Sequence, residues 1–109
     1  MNTETIYSKS VQIIENNLEY PNLNGAYIAN QLNVNRMYLH RKLKAYCNLN
    51  ASELIQSVRI KKAKEILINE QQKINEVAEQ VGFKDNSYFT KTFKKITGQT
   101  PSIYKKSKF

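Results

Sequence analysis

The sequence predicts an all-α chain of seven helices, in which two copies of a helix, a tight turn and a second helix are joined by a long central helix. Three observations predict this. Only 3 Gly and 2 Pro occur in 109 residues, too few breaks for a protein of strands and hairpins. Apolar residues recur at helical spacing almost throughout, while strand-like alternation is scarce. The sequence also repeats when it is shifted against itself.

The elements follow in order. Residues 7–18 carry Val11, Ile14 and Leu18 on one face, and Tyr20, Pro21 and Asn22 break the run. Residues 25–32 form the second helix with Asn24 as N-cap, and residues 36–46 the third, capped by Asn35. The long fourth helix covers residues 52–69, with Leu54, Ile55, Val58, Ala63, Ile66 and Leu67 at the helix period. Asn50 and Glu53 have the spacing of a capping box, with Asn in place of Ser or Thr. Residues 75–81 form the fifth helix, ended by Gly82. Residues 86–97 form the sixth, capped by Asp85 and ended by Gly98. Thr100 and Pro101 read as N-cap and first position of a last helix, residues 102–106. Residues 69–73 are the polar linker inside the chain.

The repeat carries more information than any single helix. Ala29, Leu32 and Val34 match Ala78, Val81 and Phe83; after one extra residue in the second turn, Tyr38, Leu39, Leu43 and Lys44 match Tyr88, Phe89, Phe93 and Lys94. A small residue on the first helix and a brief turn make this a helix-turn-helix pattern. The organisation expected is a first subdomain over residues 1–51, a linker helix over 52–69 and a second subdomain over 70–109.

Charge follows the repeat. Seventeen Lys and Arg stand against 9 Asp and Glu, a net charge of +8, with a pI near 9.6. Residues 1–33 carry a net −2, residues 34–64 a net +7, residues 65–85 a net −3 and residues 86–109 a net +6. The positive charge therefore gathers on the second helix of each repeat, on the start of the joining helix and on the tail. A basic domain with clustered charge points to a polyanionic partner; a solvated basic face is the plainer alternative, and Lys61, Lys62 and Lys64 suit it.

Other chemistry is poorly supplied. There is one Cys and one His, so no intramolecular disulfide or Cys-based zinc site is expected. His40 and Cys47 lie two turns apart, about 10 Å along one helix, which separates them as a catalytic pair. No Gly-rich phosphate loop and no paired acids stand out. The reading is accordingly non-enzymatic, without metal or cofactor. The first residues have neither a basic nor an apolar segment of a signal peptide, no apolar run reaches the roughly 18–20 residues of a bilayer span, and a reducing cytoplasm is the expected setting. Cys47 reads as an apolar filler.

With these residues in hand, the stretch from about residue 13 to 106 resembles the DNA-binding domain of AraC/XylS-type bacterial transcription regulators. The resemblance is strongest in Ile74-Asn-Glu-Val-Ala-Glu-Gln-Val-Gly-Phe-Lys-Asp-Asn-Ser-Tyr-Phe-Thr-Lys-Thr-Phe-Lys-Lys-Ile-Thr-Gly-Gln-Thr-Pro-Ser-Ile-Tyr. It is looser at Ile28, Ala29, Leu32, Tyr38, Leu39, Arg41, Leu43 and Lys44, and Arg59, Ala63 and Leu67 match the joining helix. Three positions depart from the pattern: Gly25 replaces an apolar residue, Asn48 a common Gly, and Lys73 a Ser-like cap. The resemblance implies a homeodomain-like fold whose two units read adjacent major-groove segments of double-stranded DNA. An 18-residue helix is about 27 Å long, short of the roughly 34 Å between consecutive groove faces, so packing at its ends supplies the rest.

The resemblance also assigns roles. Met37, His40 and Arg41 take the base-contacting positions of the first unit. Arg41 suits a guanine and Met37 a thymine methyl. His40 and Met37 can equally be ordinary surface residues. In the second unit Asn86, Ser87, Thr90 and Lys91 face outward, with Asn86 suited to adenine and Lys91 to guanine. Arg36, Lys44, Thr92, Lys94 and Lys95 are expected at phosphates. Tyr38, Tyr88, Phe83, Phe89 and Phe93 are expected to pack between helices. The family further implies RNA polymerase as a partner, more often activation than repression, and a regulatory or sensor domain outside these residues. Alternatives are a nonspecific nucleic-acid binder and a partner-binding helical module.

Overall fold

A computed structural model describes residues 1–69 and 71–109; Glu70, in the expected polar linker, lies outside the described residues. Seven helices are found among the described residues: α1 Thr3–Glu15, α2 Gly25–Gln31, α3 Arg36–Cys47, α4 Ala51–Leu67, α5 Ile74–Gln80, α6 Asn86–Thr97 and α7 Pro101–Ser107. None is long and apolar enough to cross a membrane.

Asparagine starts most of these helices. The side chains of Asn2, Asn24 and Asn35 each accept from the amide three residues on, at 2.8 Å, satisfying a backbone donor that the first turn leaves open. Asn50 and Glu53 form the reciprocal capping box: Glu53 N donates to Asn50 Oδ1 at 2.8 Å and Asn50 N to Glu53 Oε1 at 2.9 Å. Asp85 accepts from Ser87 N at 2.8 Å, and Thr100 from Ile103 N at 3.2 Å, with Pro101 at the first position. Lys73 contributes no side-chain cap to α5.

Helix α1 differs from the expectation. It starts at Thr3 and ends at Glu15, earlier at both ends than residues 7–18, because the Asn2 cap recruits the first polar residues and a turn takes over beyond Glu15. The shift adds Ile6 to the buried face, which reads Ile6, Ser10, Ile14.

The chain divides into two compact units, residues 1–58 and 59–109, and the division falls within α4. In the first unit α1 packs on α3 and α2, and α2 on α3. Its core is aliphatic, built on Ile6, Ile14, Ile28, Leu39, Leu43 and Leu54. Gly25 is explained by a close approach: a Cβ there would lie 3.1 Å from the Ala51 Cβ. In the second unit α5 packs on α6 and α6 on α7. Its core holds Ile60, Ala63, Leu67, Val77 and Val81 around a chain of rings. Phe83–Phe89, Phe89–Phe93 and Phe93–Tyr104 centroids lie 5.1, 5.8 and 5.5 Å apart in tilted or edge-on contacts, the geometry aromatic quadrupoles favour. Tyr88 is half exposed, with its ring 5.8 Å from Phe83.

The two turns that join the paired helices close with the same backbone bonds, the second then running one residue longer before its helix starts. Val34 N donates to Ala29 O at 3.0 Å and Phe83 N to Ala78 O at 2.9 Å. One residue earlier, Asn33 N donates to Asn30 O and Gly82 N to Glu79 O. The reversal needs one residue at positive φ: Gly82 at 98° and Asn33 at 58°. Glycine reaches that region freely and asparagine more readily than most other residues. Asn48 at the end of α3, at φ 59°, likewise stands where Gly98 ends α6, at φ 85°.

Two stability outcomes follow. Asn33→Ala is expected to cost about 1–2 kcal/mol through a side chain forced into the left-handed region, while Asn33→Gly stays near wild type; urea unfolding of both variants checks this, and equal losses would remove the backbone explanation. The Ser10 hydroxyl is fully buried without a hydrogen-bond partner among the described residues. Ser10→Ala is expected to raise stability by about 1 kcal/mol, since an unsatisfied buried hydroxyl costs roughly 1–3 kcal/mol; a lower urea midpoint for the variant would contradict it.

Candidate nucleic-acid interface

Helix α3 divides into two sides. Leu39 and Leu43 are buried in the first core, so Met37, Arg41 and Lys44 fall on the opposite side of the turn. All three are exposed, Met37 to 72%. Arg36 and His40, one turn apart, are exposed on the flank of that face. Arg36, Met37, His40 and Arg41 together border one shallow surface depression. An exposed thioether amid cations is a surface that water solvates poorly on its apolar part and a polyanion can cover.

Helix α6 repeats the division. Phe89 and Phe93 are buried, and Ser87, Lys91 and Lys94 lie opposite them, exposed. Asn86 and Lys95 are exposed on the flanks and Thr90 is half-buried. The Thr90 hydroxyl donates to Asn86 O at 3.0 Å, which leaves its lone pairs outward. Thr92 corrects the expectation of a phosphate contact. It is buried, only 5% exposed, because it stands three residues after Phe89 and shares that residue's inward side. Its equivalent in α3, Lys42, also turns from the groove side and lies 5.3 Å from the Tyr38 ring centroid.

The outward cations have no internal partner among the described residues. Among the described residues no ion pair or hydrogen bond engages Arg36, Arg41, Lys44, Lys91, Lys94 or Lys95. Other cations are committed within the fold. Lys105 Nζ donates to Asn69 O at 3.0 Å and to Gln72 O, pinning the segment before α5. Lys64 and Lys108 sit 5.9 and 5.2 Å from the Tyr104 ring centroid, and Lys62 pairs with Glu65 at 3.6 Å. Burial lowers the Arg59 guanidinium from its ordinary value, against an opposing pull from Tyr88; it remains a charged, half-buried packing residue. Cys47 is half-buried, with Sγ donating to Leu43 O at 3.3 Å, and no cluster of metal-ligating side chains occurs among the described residues.

Sequence reasoning missed two sets of residues. Asn33 sets each reading helix's entry angle together with Gly82; the repeat places Asn33 opposite Gly82, and that match was the available signal. The second set comprises Asn24, Ser52, Lys73 and Ser102, which line clefts beside the reading helices. They are polar residues at helix starts, where Asn24 is explained by capping alone and nothing in the local sequence marks the other three as lining a cleft.

A helix-turn-helix domain family model matches residues 28–107. A histidine kinase P4 of Formosa agariphila is 35% identical over 101 residues, which is 93% of this chain but 7% of that protein. The Msm operon regulatory protein of Streptococcus mutans is 38% identical over 79 residues, 72% of this chain and 28% of its own length. Among solved structures, the C-terminal domain of AraT, a response regulator from Geobacillus stearothermophilus, superposes with a TM-score of 0.83 at 31% identity, covering 94% of this chain and 84% of that one. The chain spans 7–29% of the length of the first curated relatives it matches.

The burial of Thr92 yields a direct comparison. Lys94→Ala is expected to weaken binding to any duplex and to lower the slope of log affinity against log salt by about 1, whereas Thr92→Ala leaves that slope unchanged. Fluorescence anisotropy with a random-sequence duplex over a salt series measures both; a Thr92→Ala slope matching that of Lys94→Ala would restore the discarded contact.

Proposed function

The chain belongs to the AraC-type helix-turn-helix family, and from that premise we propose that α3 and α6 read double-stranded DNA in adjacent major-groove segments. The carrying observation is the recurrence, at equivalent positions of both units, of exposed cations without internal partners among the described residues, beside exposed polar or apolar side chains. Phosphate attraction alone needs only the cations. Met37, Ser87 and Asn86 add groups that distinguish base edges, which favours sequence-specific over nonspecific binding.

In this reading Arg41 forks onto a guanine and Met37 covers a thymine methyl. Lys91, Asn86, Ser87 and Thr90 read the second segment, with Arg36, Lys44, Lys94 and Lys95 on phosphates. His40 stands at the edge of the first reading face. The function is transcription regulation in the cytoplasm by a longer protein whose signal-receiving domain lies outside these residues. Activation through contact with RNA polymerase is the regulatory mode proposed. No catalytic step is part of it.

Selection of sites from random duplexes is expected to return a bipartite motif with parts about one helical turn apart. Arg41→Ala and Lys91→Ala are each expected to cost about 1–3 kcal/mol on the selected site and to relax one position of the motif. Equal losses on selected and random duplexes would leave only nonspecific binding.

A further inference from the structure

Each unit carries a cleft beside its reading helix, and the two clefts are built from equivalent positions. The first, about 370 Å³, lies between Arg36 and His40 of α3, Asn24 ahead of α2, and Asn50 and Ser52 at the start of α4. The second, about 640 Å³, lies between Asn86 and Thr90 of α6, Lys73 ahead of α5, and Thr100 and Ser102 at the start of α7. Every polar position of the first has its partner in the second at the register of the sequence repeat. A cleft conserved in place by two halves of one chain, while its residues change, is a shared feature of how each half works.

The chemistry of the first cleft is one-sided. Arg36 contributes a guanidinium, His40 an imidazole and Ser52 a hydroxyl. The Asn24 and Asn50 side-chain oxygens are engaged as caps, leaving their amide NH₂ donors. No carboxylate lines the space. Gly25 and Ala51 keep the cleft free of larger side chains, their close approach allowing no Cβ at residue 25 without a shift. The cleft opens next to the groove face, because Arg36 and His40 also border the depression shared with Met37 and Arg41.

We propose that this cleft seats a phosphodiester oxyanion of the DNA backbone between Arg36 and His40, making His40 a proton-dependent phosphate ligand and not a reader of bases. The inference rests on the DNA-reading function proposed above and revises one residue's role within it. Arg36 stands one turn before His40, so the two side chains share one side of α3 and both line the cleft. Arg41 and Lys44 are further cations along α3. Glu53 of α4 is the acidic group nearest the cleft in sequence, and its carboxylate accepts from Asn50 N; α2 contributes no titratable group to the lining. A phosphate between Arg36 and His40 favours the imidazolium, which donates from both nitrogens.

The sign follows from linkage. The complex holds a proton more tightly than the free protein, so affinity is greatest at low pH and declines as pH rises through neutrality. His40 is the sole histidine of the chain, and histidine is the side chain whose ordinary titration spans that range. The equivalent position in the second cleft, Thr90, carries no such charge, so one unit alone acquires the pH dependence.

The test measures affinity for a selected duplex at pH 7.5 and 5.5, at fixed salt, for wild type and His40→Gln. Wild type is expected to bind roughly three- to tenfold more tightly at pH 5.5, with a salt slope steeper by about 1. His40→Gln is expected to flatten both differences and to select the same sites from random duplexes. A scan of single neutral methylphosphonates is expected to find one position that removes the pH dependence in wild type. Wild-type affinity independent of pH, a pH dependence retained in His40→Gln, or an altered base preference in that variant would each overturn the assignment. Specific binding that persists through any of those results leaves the DNA-reading function standing, whereas loss of all site preference in wild type overturns that function itself. Inorganic phosphate at millimolar concentration is the remaining arm. Abolition of the pH dependence by free phosphate, with no effect from any single methylphosphonate, would mark a free-anion site and overturn the backbone assignment.

Discussion

The turn between paired helices closes by returning one amide, Val34 or Phe83, to the carbonyl of a buried alanine five residues back. That bond forms only if the residue before it takes positive φ. Once it forms, the second helix leaves the first at a fixed angle, and its inward residues meet a core already defined by the first. Leu39 and Leu43 in one unit, and Phe89 and Phe93 in the other, are then committed. The face opposite them is exposed as a consequence of that commitment, whatever residues it bears. Alanine at positions 29 and 78 is part of the same constraint, since a larger side chain under the turn would push the amide away from its acceptor. The reading surface is thus specified indirectly: backbone geometry fixes which positions face outward, and the chain is free to vary them.

That freedom explains the uneven charge economy. Four lysines off the reading face are engaged within the fold: Lys105 by the Asn69 and Gln72 carbonyls, Lys64 and Lys108 by the Tyr104 ring, and Lys62 by Glu65. The cations on the reading face have no such partner among the described residues. Internal pairing would be worth little at an exposed site, about 0–1 kcal/mol, so leaving these groups unpaired costs the fold almost nothing. The same groups, placed against a polyanion, release counterions and contribute most of the attraction.

The parts of the structure legible in the sequence are those governed by local rules. Caps at Asn24, Asn35, Asn50, Asp85 and Thr100 were readable because a side-chain oxygen before a helix answers an open backbone donor wherever it occurs. The left-handed ends at Gly82, Gly98 and Asn48 were readable for a similar reason. The start of α1 was not, because Thr3, Glu4 and Thr5 have no apolar period and only the Asn2 cap marks them. Asn33 was hidden by its ordinary polar character in a turn. Thr92 carries a hydroxyl that suits a phosphate, but the spacing Phe89, Thr92, Phe93 puts it on the inward side. The clefts were invisible for a different reason. They join residues from three helices, and only packing brings those residues together.

The two units also differ in how strongly sequence dictates structure. In the second unit a run of aromatic contacts from Phe83 to Tyr104 fills the core, and rings tolerate few replacements in size or orientation. The first unit packs aliphatic side chains, which interchange at modest cost when volume is kept. A family pattern is therefore sharp over residues 74–104 and diffuse over residues 28–44, although both turns close with the same backbone bonds. The outward faces invert this order. The diffuse unit carries Arg36, Met37, His40 and Arg41, a chemically richer set than Asn86, Ser87, Thr90 and Lys91. Constraint on the inside and distinctiveness on the outside are thus separable along this chain, because the turn, and not the identity of the core, decides which residues a partner meets.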